Sequence, residues 1–180
     1  ELQSPEILWI GCSDSRVPAD RITGTQPGEI FVHRNISNLV ILTDLNMLSV
    51  LQFAVEILKI KHIIVCGHHN CGGIAAALSN NSYGLMDQWI WNIKNVYSLY
   101  RDEIDKLPTF SEKHSLLTKL NVIEQDTNLA KTSIIQNGWK ERNTPYLHGW
   151  VYDLRDGIVN PIFEMNNETP ADPIFEFTNI

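Results

Sequence analysis

The chain has 180 residues, and its 14 Lys and Arg against 21 Asp and Glu residues give a formal net charge of −7. This length fits one domain, and 43% hydrophobic with 19% charged residues excludes a disordered chain. The acidic balance argues against nucleic-acid binding, which depends on Lys and Arg at phosphates, and no apolar run approaches the roughly 18–20 residues of a membrane helix. We therefore expect a single domain over residues 1–180 with no nucleic-acid or membrane partner.

Cysteine usage predicts a reducing environment. The chain carries three cysteines, Cys12, Cys66 and Cys71, and this odd count does not fit a disulfide scaffold. Cys66 alternates within an apolar segment, which predicts a small buried hydrophobic residue. Cys12 and Cys71 are then the candidates for metal binding or catalysis, and we expect a cytoplasmic location.

The first half of the chain alternates strand-like and helix-like segments. Three apolar runs predict buried strands at residues 7–10, 30–32 and 62–67. Apolar residues at a spacing of three to four over residues 48–58 predict a helix that Thr43 or Asp44 caps. A run of small residues, 74–78, predicts a second, short helix. Strand, helix and strand at these lengths predict βαβ units and therefore a parallel sheet.

The second half is predicted to be mostly helical until the chain nears its end. An apolar stripe over residues 90–107 predicts one helix, which Pro108 ends. Thr109 and Glu112 fit a capping box at the start of a longer helix that reaches about Gly138.

A hairpin is predicted after these helices. Residues 147–154 and 158–163 fit two strands joined by a turn that contains Asp156 and Gly157. The predicted fold class is therefore α/β, with a central, mostly parallel β-sheet flanked by helices and a C-terminal β-hairpin.

Two thiols and one imidazole are predicted to meet where strands end. Cys12 follows the first strand, and His68 and Cys71 follow the third within one turn. Ligands of open α/β sheets gather at the carboxyl ends of strands, so these side chains are expected to lie together. Two thiolates and one imidazole suit zinc and leave its fourth position open, as catalysis requires. An isolated His-x-x-Cys spacing also occurs without a metal, so a structural role stays open at this point.

A carboxylate and a guanidinium follow Cys12 within one turn. Asp14 and Arg16 can form a planar, bidentate ion pair. The pair either stiffens the loop or has a catalytic role. In the catalytic interpretation, Arg16 keeps Asp14 ionised. Asp14 then accepts a hydrogen bond from metal-bound solvent and so fixes the direction of the lone pair on the solvent oxygen.

Five motifs occur in order along the chain. They are CSDSR at 12–16, QPGEIFVHRN at 26–35, GHHNCGG at 67–73, NVIEQ at 121–125 and LHGWVYD at 147–153. Together they resemble the β-class carbonic anhydrases over about residues 3–157. The resemblance implies a zinc-dependent lyase that reversibly hydrates carbon dioxide to bicarbonate and a proton.

The same resemblance implies the site residues. Zinc is expected on Cys12, His68 and Cys71, and Asp14 and Arg16 are expected to be the catalytic pair. Two thiolates donate more negative charge than two imidazoles, so we expect activity to favour alkaline pH.

The resemblance also implies an oligomer. The family implies a homodimer or a tetramer of dimers, with each active site at a dimer interface. Gln3 matches a family glutamine that reaches the substrate pocket of the neighbouring subunit. The family also has an N-terminal helical arm that embraces the partner, and we expect most of this arm to be missing from residues 1–180.

Three further residues resemble the bicarbonate-inhibited, or type II, subclass of this family. Trp9, Arg34 and Tyr152 match a non-catalytic, allosteric bicarbonate pocket, and their donors fit an oxyanion. The resemblance implies an inactive state in which Asp14 leaves Arg16 and becomes the fourth zinc ligand. Alternatively, the three residues have only structural roles.

Two rival functions remain. The first is hydrolysis of carbonyl sulfide or carbon disulfide, which are isoelectronic with carbon dioxide, on the same fold. The second is a non-catalytic, zinc-binding homologue. An intact pair of Asp14 and Arg16 argues against the second rival, since a structural zinc does not need it.

Overall fold

A five-stranded β-sheet forms the centre of the molecule. The computed structural model describes residues 3–170 and 172–180. Its strands are β1 (Ile7–Cys12), β2 (Ile30–Asn35), β3 (His62–His68), β4 (Tyr146–Asp153) and β5 (Ile158–Met165). Their order in the sheet is β2-β1-β3-β4-β5, with β1 next to both β2 and β3. The first three pairings are parallel and the last is antiparallel, so the predicted mostly parallel sheet with a C-terminal hairpin is confirmed.

Helices flank this sheet. They are α1 (Ala19–Thr23), α2 (Leu45–Gln52), α3 (Gly72–Ala77), α4 (Met86–Leu99), α5 (Arg101–Ile104), α6 (Phe110–Ala130) and α7 (Ser133–Arg142). A π-helical segment, Phe53–Ile57, continues α2, and short 3-10 turns occupy Ile36–Asn38 and Pro173–Phe175. Of the two capping candidates before α2, Asp44 is the N-cap, because its carboxylate accepts a hydrogen bond from the Asn46 N–H. Within the described ranges, no helix has the length and apolar character that crossing a membrane requires.

Two predicted helices are shorter than the sequence indicated. The capping box of Thr109 and Glu112 is confirmed, but the helix it starts ends at Ala130 instead of continuing to Gly138. Thr132 causes the break, because its hydroxyl accepts a hydrogen bond from the Ile135 N–H and starts α7. Gly138 lies inside α7, where a side chain would approach the Thr144 carbonyl oxygen to 2.7 Å.

The apolar stripe before Pro108 also spans two helices. The backbone departs from helical geometry at Tyr100 (φ −112°, ψ 22°), which separates α4 from α5. The Tyr100 hydroxyl donates to the Glu124 carboxylate on α6 at 2.6 Å, so a tertiary contact accompanies the break. Apolar residues at every third or fourth position show that both helices share one buried face, but they do not reveal the break between the helices.

Side chains on the two faces of β1 pack into different hydrophobic clusters. Leu8 and Ile10 pack with Leu51 of α2, Val122 of α6 and Ile135 of α7 in the main core. The alternate residue Trp9 packs on the opposite face with Ala19 and Cys66. Cys66 is 4% exposed, as the sequence predicted for a small hydrophobic residue, and burial raises the pKa of its thiol. Both faces are thus buried around β1, and the carboxyl ends of β1 and β3 lie side by side.

Candidate metal centre

The neighbouring ends of β1 and β3 bring together the three residues that the sequence proposed as metal ligands. Cys12 is the last residue of β1, His68 is the last residue of β3, and Cys71 is the N-cap residue of α3. One donor atom from each lies within 4.8 Å of the others, and the two sulfur atoms are 3.9 Å apart. All three side chains are buried. This group could hold a metal ion.

The imidazole of His68 is oriented for such a role. Its Nδ1 lies 2.9 Å from the carbonyl oxygen of His69, so Nδ1 carries the proton and donates it. Its Nε2 is then a lone-pair donor, and it is buried without a hydrogen-bond partner in the described part of the chain. A backbone acceptor that fixes the tautomer in this way is typical of metal-binding histidines. The donor set of two thiols and this nitrogen fits zinc.

The three donors also influence one another's protonation. Contact with Cys12, and then with His68, lowers the pKa of Cys71, although burial opposes this shift. The same sulfur–sulfur contact, together with burial, raises the pKa of Cys12. Burial by itself lowers the pKa of His68, but the contacts with Cys71, the His69 carbonyl and Asp14 together outweigh it and raise that pKa. Of the two thiols, Cys71 is therefore the one that loses its proton first.

Asp14 and Arg16 form a bidentate ion pair beside this cluster. The guanidinium Nε and Nη2 donate to the two carboxylate oxygens of Asp14 at 2.9 and 2.7 Å. Asp14 Oδ2 lies 3.8 Å from His68 Nε2, so the carboxylate reaches the rim of the candidate metal site. The hydrogen bonds from Arg16 hold the pKa of Asp14 well below its usual range, despite partial burial. Asp14 is therefore ionised at neutral pH.

Two residues that the sequence did not single out also contact the cluster. The buried Ser37 places its hydroxyl 3.3 Å from Cys71 Sγ, and its N–H donates to Cys12 Sγ at 3.4 Å. The buried His114 donates from Nε2 to the Cys71 carbonyl oxygen at 2.9 Å. Neither position lies within a motif that indicates this chemistry. Gly73 packs against this contact, since a Cβ there would lie 2.0 Å from the Ser37 hydroxyl, but a glycine in the sequence does not by itself indicate Ser37.

Trp9, Arg34 and Tyr152 lie on one face of the sheet. The register pairs Gly11 with Arg34 and with Cys66, and strand alternation then places Trp9 and Tyr152 on that same face. The Trp9 Nε1 is buried and has no hydrogen-bond partner among the described residues. A Cβ at residue 11 would lie 2.2 Å from that nitrogen, so Gly11 is what gives the indole its space.

Arg34 connects this face with the metal centre. Its Nε donates to the Cys12 carbonyl oxygen at 2.7 Å, and its Nη2 donates to the Asp14 carbonyl oxygen at 2.6 Å. The guanidinium thus supports the backbone that carries both a candidate metal ligand and the acidic residue. Gln3, the remaining predicted site residue, lies exposed before β1.

Comparison with known proteins agrees with this geometry. The carbonic anhydrase family profile matches residues 7–159. A carbonic anhydrase from Emericella nidulans is 48% identical over 160 residues, and one from Candida albicans is 40% identical over 174 residues. These alignments include 89% and 94% of the chain, but the chain spans 70% and 59% of the lengths of the two relatives.

Solved structures give the same result. The β-carbonic anhydrase CafA of Aspergillus fumigatus superposes with a TM-score of 0.87 at 39% identity, over 93% of this chain and 78% of that one. A tetrameric β-carbonic anhydrase of Sordaria macrospora also gives 0.87, at 40% identity, over 91% of this chain and 84% of that one. The chain therefore belongs to the carbonic anhydrase family and, within it, to the β class.

Proposed function

We propose that the chain is a carbonic anhydrase that reversibly hydrates carbon dioxide to bicarbonate and a proton, with zinc held by Cys12, His68 and Cys71. One observation carries this proposal: a buried imidazole nitrogen without a partner lies within 4.8 Å of two thiols in a chain of the β class. When bound, zinc would supply the Lewis acidity that makes water a nucleophile near neutral pH.

Asp14 and Arg16 orient the reacting water in this proposal. Asp14 is ionised and therefore only accepts hydrogen bonds, so it holds a water molecule by one proton and leaves an oxygen lone pair directed at carbon dioxide. Arg16 fixes both oxygens of that carboxylate and prevents it from rotating. The surrounding buried cluster, which includes Leu39 and Val17, excludes bulk water from one side of the site.

The proposal extends to the assembly. The Sordaria macrospora relatives are described as tetrameric, which supports a homodimer or a tetramer of dimers for this chain. We propose that residues 1–180 form one domain of each subunit and that Gln3, which is exposed, contacts substrate in the pocket of a neighbouring subunit.

Three free thiols suit a reducing compartment, and the cytoplasm is the location that we propose.

Bicarbonate regulation of the type II kind is the finer part of the proposal. Two observations support it: the unpartnered indole N–H of Trp9 lies on the same sheet face as Arg34 and Tyr152, and Arg34 supports the backbone at Cys12 and Asp14. An anion that draws the guanidinium away would loosen this support. Asp14 could then leave Arg16 and approach the metal as a fourth ligand, which describes an inactive state.

Stopped-flow hydration of carbon dioxide tests the activity. The zinc-reconstituted chain is expected to accelerate hydration, and the same preparation stripped of metal is the control. Equal rates in the two preparations would contradict the proposed function. A parallel assay with carbonyl sulfide tests the rival function, because a carbonyl sulfide hydrolase would turn over carbonyl sulfide in preference to carbon dioxide.

A further inference from the structure

Ser37 contacts both candidate sulfur ligands at once. Its N–H donates to Cys12 Sγ at 3.4 Å, and its hydroxyl oxygen lies 3.3 Å from Cys71 Sγ. The residue is 0% exposed, so neither polar group has water as an alternative partner. Ser37 makes both contacts from a left-handed backbone conformation, with φ 65° and ψ 30°.

The direction of the hydroxyl bond follows from the chemistry of a metal-bound thiolate. A thiolate has no proton, so Cys71 can only accept when it binds a metal, and the Ser37 hydroxyl must donate. Hydrogen bonds to charged acceptors are stronger than neutral ones, and burial strengthens them further. Both sulfur atoms would then receive one hydrogen bond each from Ser37.

The surroundings fix Ser37 in this position. The Asn121 side chain on α6 donates to the Ser37 carbonyl oxygen at 3.1 Å, and Gln125 donates in turn to Asn121 at the same distance. Gly73 leaves the space that the Ser37 hydroxyl occupies, since a Cβ at residue 73 would lie 2.0 Å from the hydroxyl oxygen. The hydroxyl is therefore held against Cys71 by packing as well as by its own bond.

We propose that Ser37 is a positioning residue that tunes the metal centre through its hydroxyl bond to Cys71. The proposal rests on metal binding by Cys12, His68 and Cys71, but not on the identity of the substrate. The bond withdraws electron density from the sulfur and restricts its position. Outer hydrogen-bond partners of metal ligands commonly change metal affinity by about 10–100-fold.

The test compares Ser37→Ala with Ser37→Gly after reconstitution with Co²⁺, whose thiolate charge-transfer band reports on the sulfur. Both variants lack the hydroxyl, but glycine favours the left-handed backbone whereas alanine does not. Both are expected to move the band to longer wavelength by the same amount and to bind metal about 10-fold more weakly in competition with a chelator. Ser49→Ala, which removes an exposed hydroxyl on α2, should change neither value.

Four outcomes would overturn one proposal or both. An unchanged band and affinity in both variants would overturn the role of Ser37. A change in Ser37→Ala that is absent in Ser37→Gly would also overturn it, because backbone strain would then be the cause. If the band shifts as expected but the wild-type chain does not hydrate carbon dioxide, the proposed activity is wrong while the role of Ser37 stands. A wild-type chain that binds no metal overturns both proposals.

Discussion

The Arg16 guanidinium holds both oxygens of the Asp14 carboxylate and also donates to the Asn70 carbonyl oxygen, at 3.2 Å. Asn70 directly precedes Cys71, so this contact joins the loop after β1 to the loop after β3. Asn70 has a left-handed backbone (φ 57°), which a short polar side chain tolerates. The position of the carboxylate therefore depends on both loops that carry candidate metal ligands.

This arrangement predicts that the acidic pair acts in turnover and not in metal retention. Asp14→Asn and Arg16→Ala are each expected to lower kcat/KM for hydration by about 100-fold or more, because the reacting water loses its acceptor or that acceptor loses its orientation. Both variants should keep most of their zinc, measured by metal analysis in the same preparations.

Arg16→Lys is the matched variant for this prediction. Lysine keeps the positive charge but cannot hold two carboxylate oxygens in one plane. We expect its activity to lie close to that of Arg16→Ala if orientation is what matters. Near-wild-type turnover of either Asp14→Asn or Arg16→Ala across a full pH profile would rule out the proposed role of the pair.

A second prediction concerns the metal ligands. Cys71→Ala should lose most of the bound zinc and part of its stability to unfolding, because a ligand's binding energy also stabilises the fold. Cys66→Ala is the matched control, since Cys66 is also buried but packs in the cluster of Trp9, which does not include Cys12 or Cys71. Metal content and thermal unfolding check both variants. Full zinc occupancy in Cys71→Ala would remove Cys71 from the proposed ligand set.

The sequence predicted the sheet because its strands follow simple rules. Apolar runs that end in polar turns mark β1 and β3, and the Asp156–Gly157 turn marks the hairpin. The same reasoning placed Cys12 and His68 together, since neighbouring parallel strands end at one edge. The break at Thr132 was missed because a threonine within an apolar pattern resembles an ordinary helical residue until its capping bond is seen.

The contacts around the metal centre were less predictable. Ser37 precedes Cys71 by 34 positions, and only the folded chain shows that its left-handed backbone directs both donors at the two sulfurs. Arg34 was predicted to bind an anion, but its two carbonyl acceptors at Cys12 and Asp14 depend on register, which no local pattern encodes. Short-range patterns therefore identify ligands more readily than the residues that support them.

A third prediction follows from Asp126, an acidic residue in the core. Asp126 is 0% exposed and packs against Gly149 of β4, and neither carboxylate oxygen has a hydrogen-bond partner in the described residues. Burial raises its pKa well above the usual value. The folded chain therefore retains this proton at pH values where the unfolded chain has released it.

The raised pKa of Asp126 fixes the direction in which pH changes the stability of the folded chain. Above about pH 4, where the carboxyl ionises in the unfolded chain, the contribution of Asp126 to stability declines as pH rises towards its folded pKa, by up to about 1.4 kcal/mol per pH unit. Asp126→Asn should remove this part of the slope, measured by urea unfolding of the zinc-loaded protein between pH 5 and 8. Asp102→Asn, at an exposed position on α5, serves as the control. Parallel pH profiles for wild type and Asp126→Asn would contradict the prediction.

The fourth prediction tests the proposed bicarbonate regulation. Trp9→Phe removes the unpartnered indole N–H and keeps an aromatic ring, so it deletes one proposed donor to the anion. We expect the bicarbonate concentration for half-inhibition to rise about 10-fold, which is the effect of losing one hydrogen bond to a charged group. Arg34→Ala should weaken inhibition further, but it also releases the carbonyl groups of Cys12 and Asp14 and should lower the uninhibited rate. Trp91→Phe, at an exposed tryptophan on α4, should leave the bicarbonate response unchanged.

The measurement for this prediction is the hydration rate as a function of pH at several bicarbonate concentrations. A site with two thiolate ligands favours alkaline pH, so we expect a steep, cooperative fall in activity below about pH 8. Added bicarbonate should deepen the fall, because a ligand that prefers the inactive state shifts the population by its difference in affinity for the two states. Trp9→Phe should respond less to added bicarbonate than wild type at each pH. A simple one-proton profile that bicarbonate changes only through product competition would reject the regulation, and the catalytic roles of Asp14 and Arg16 would be unaffected.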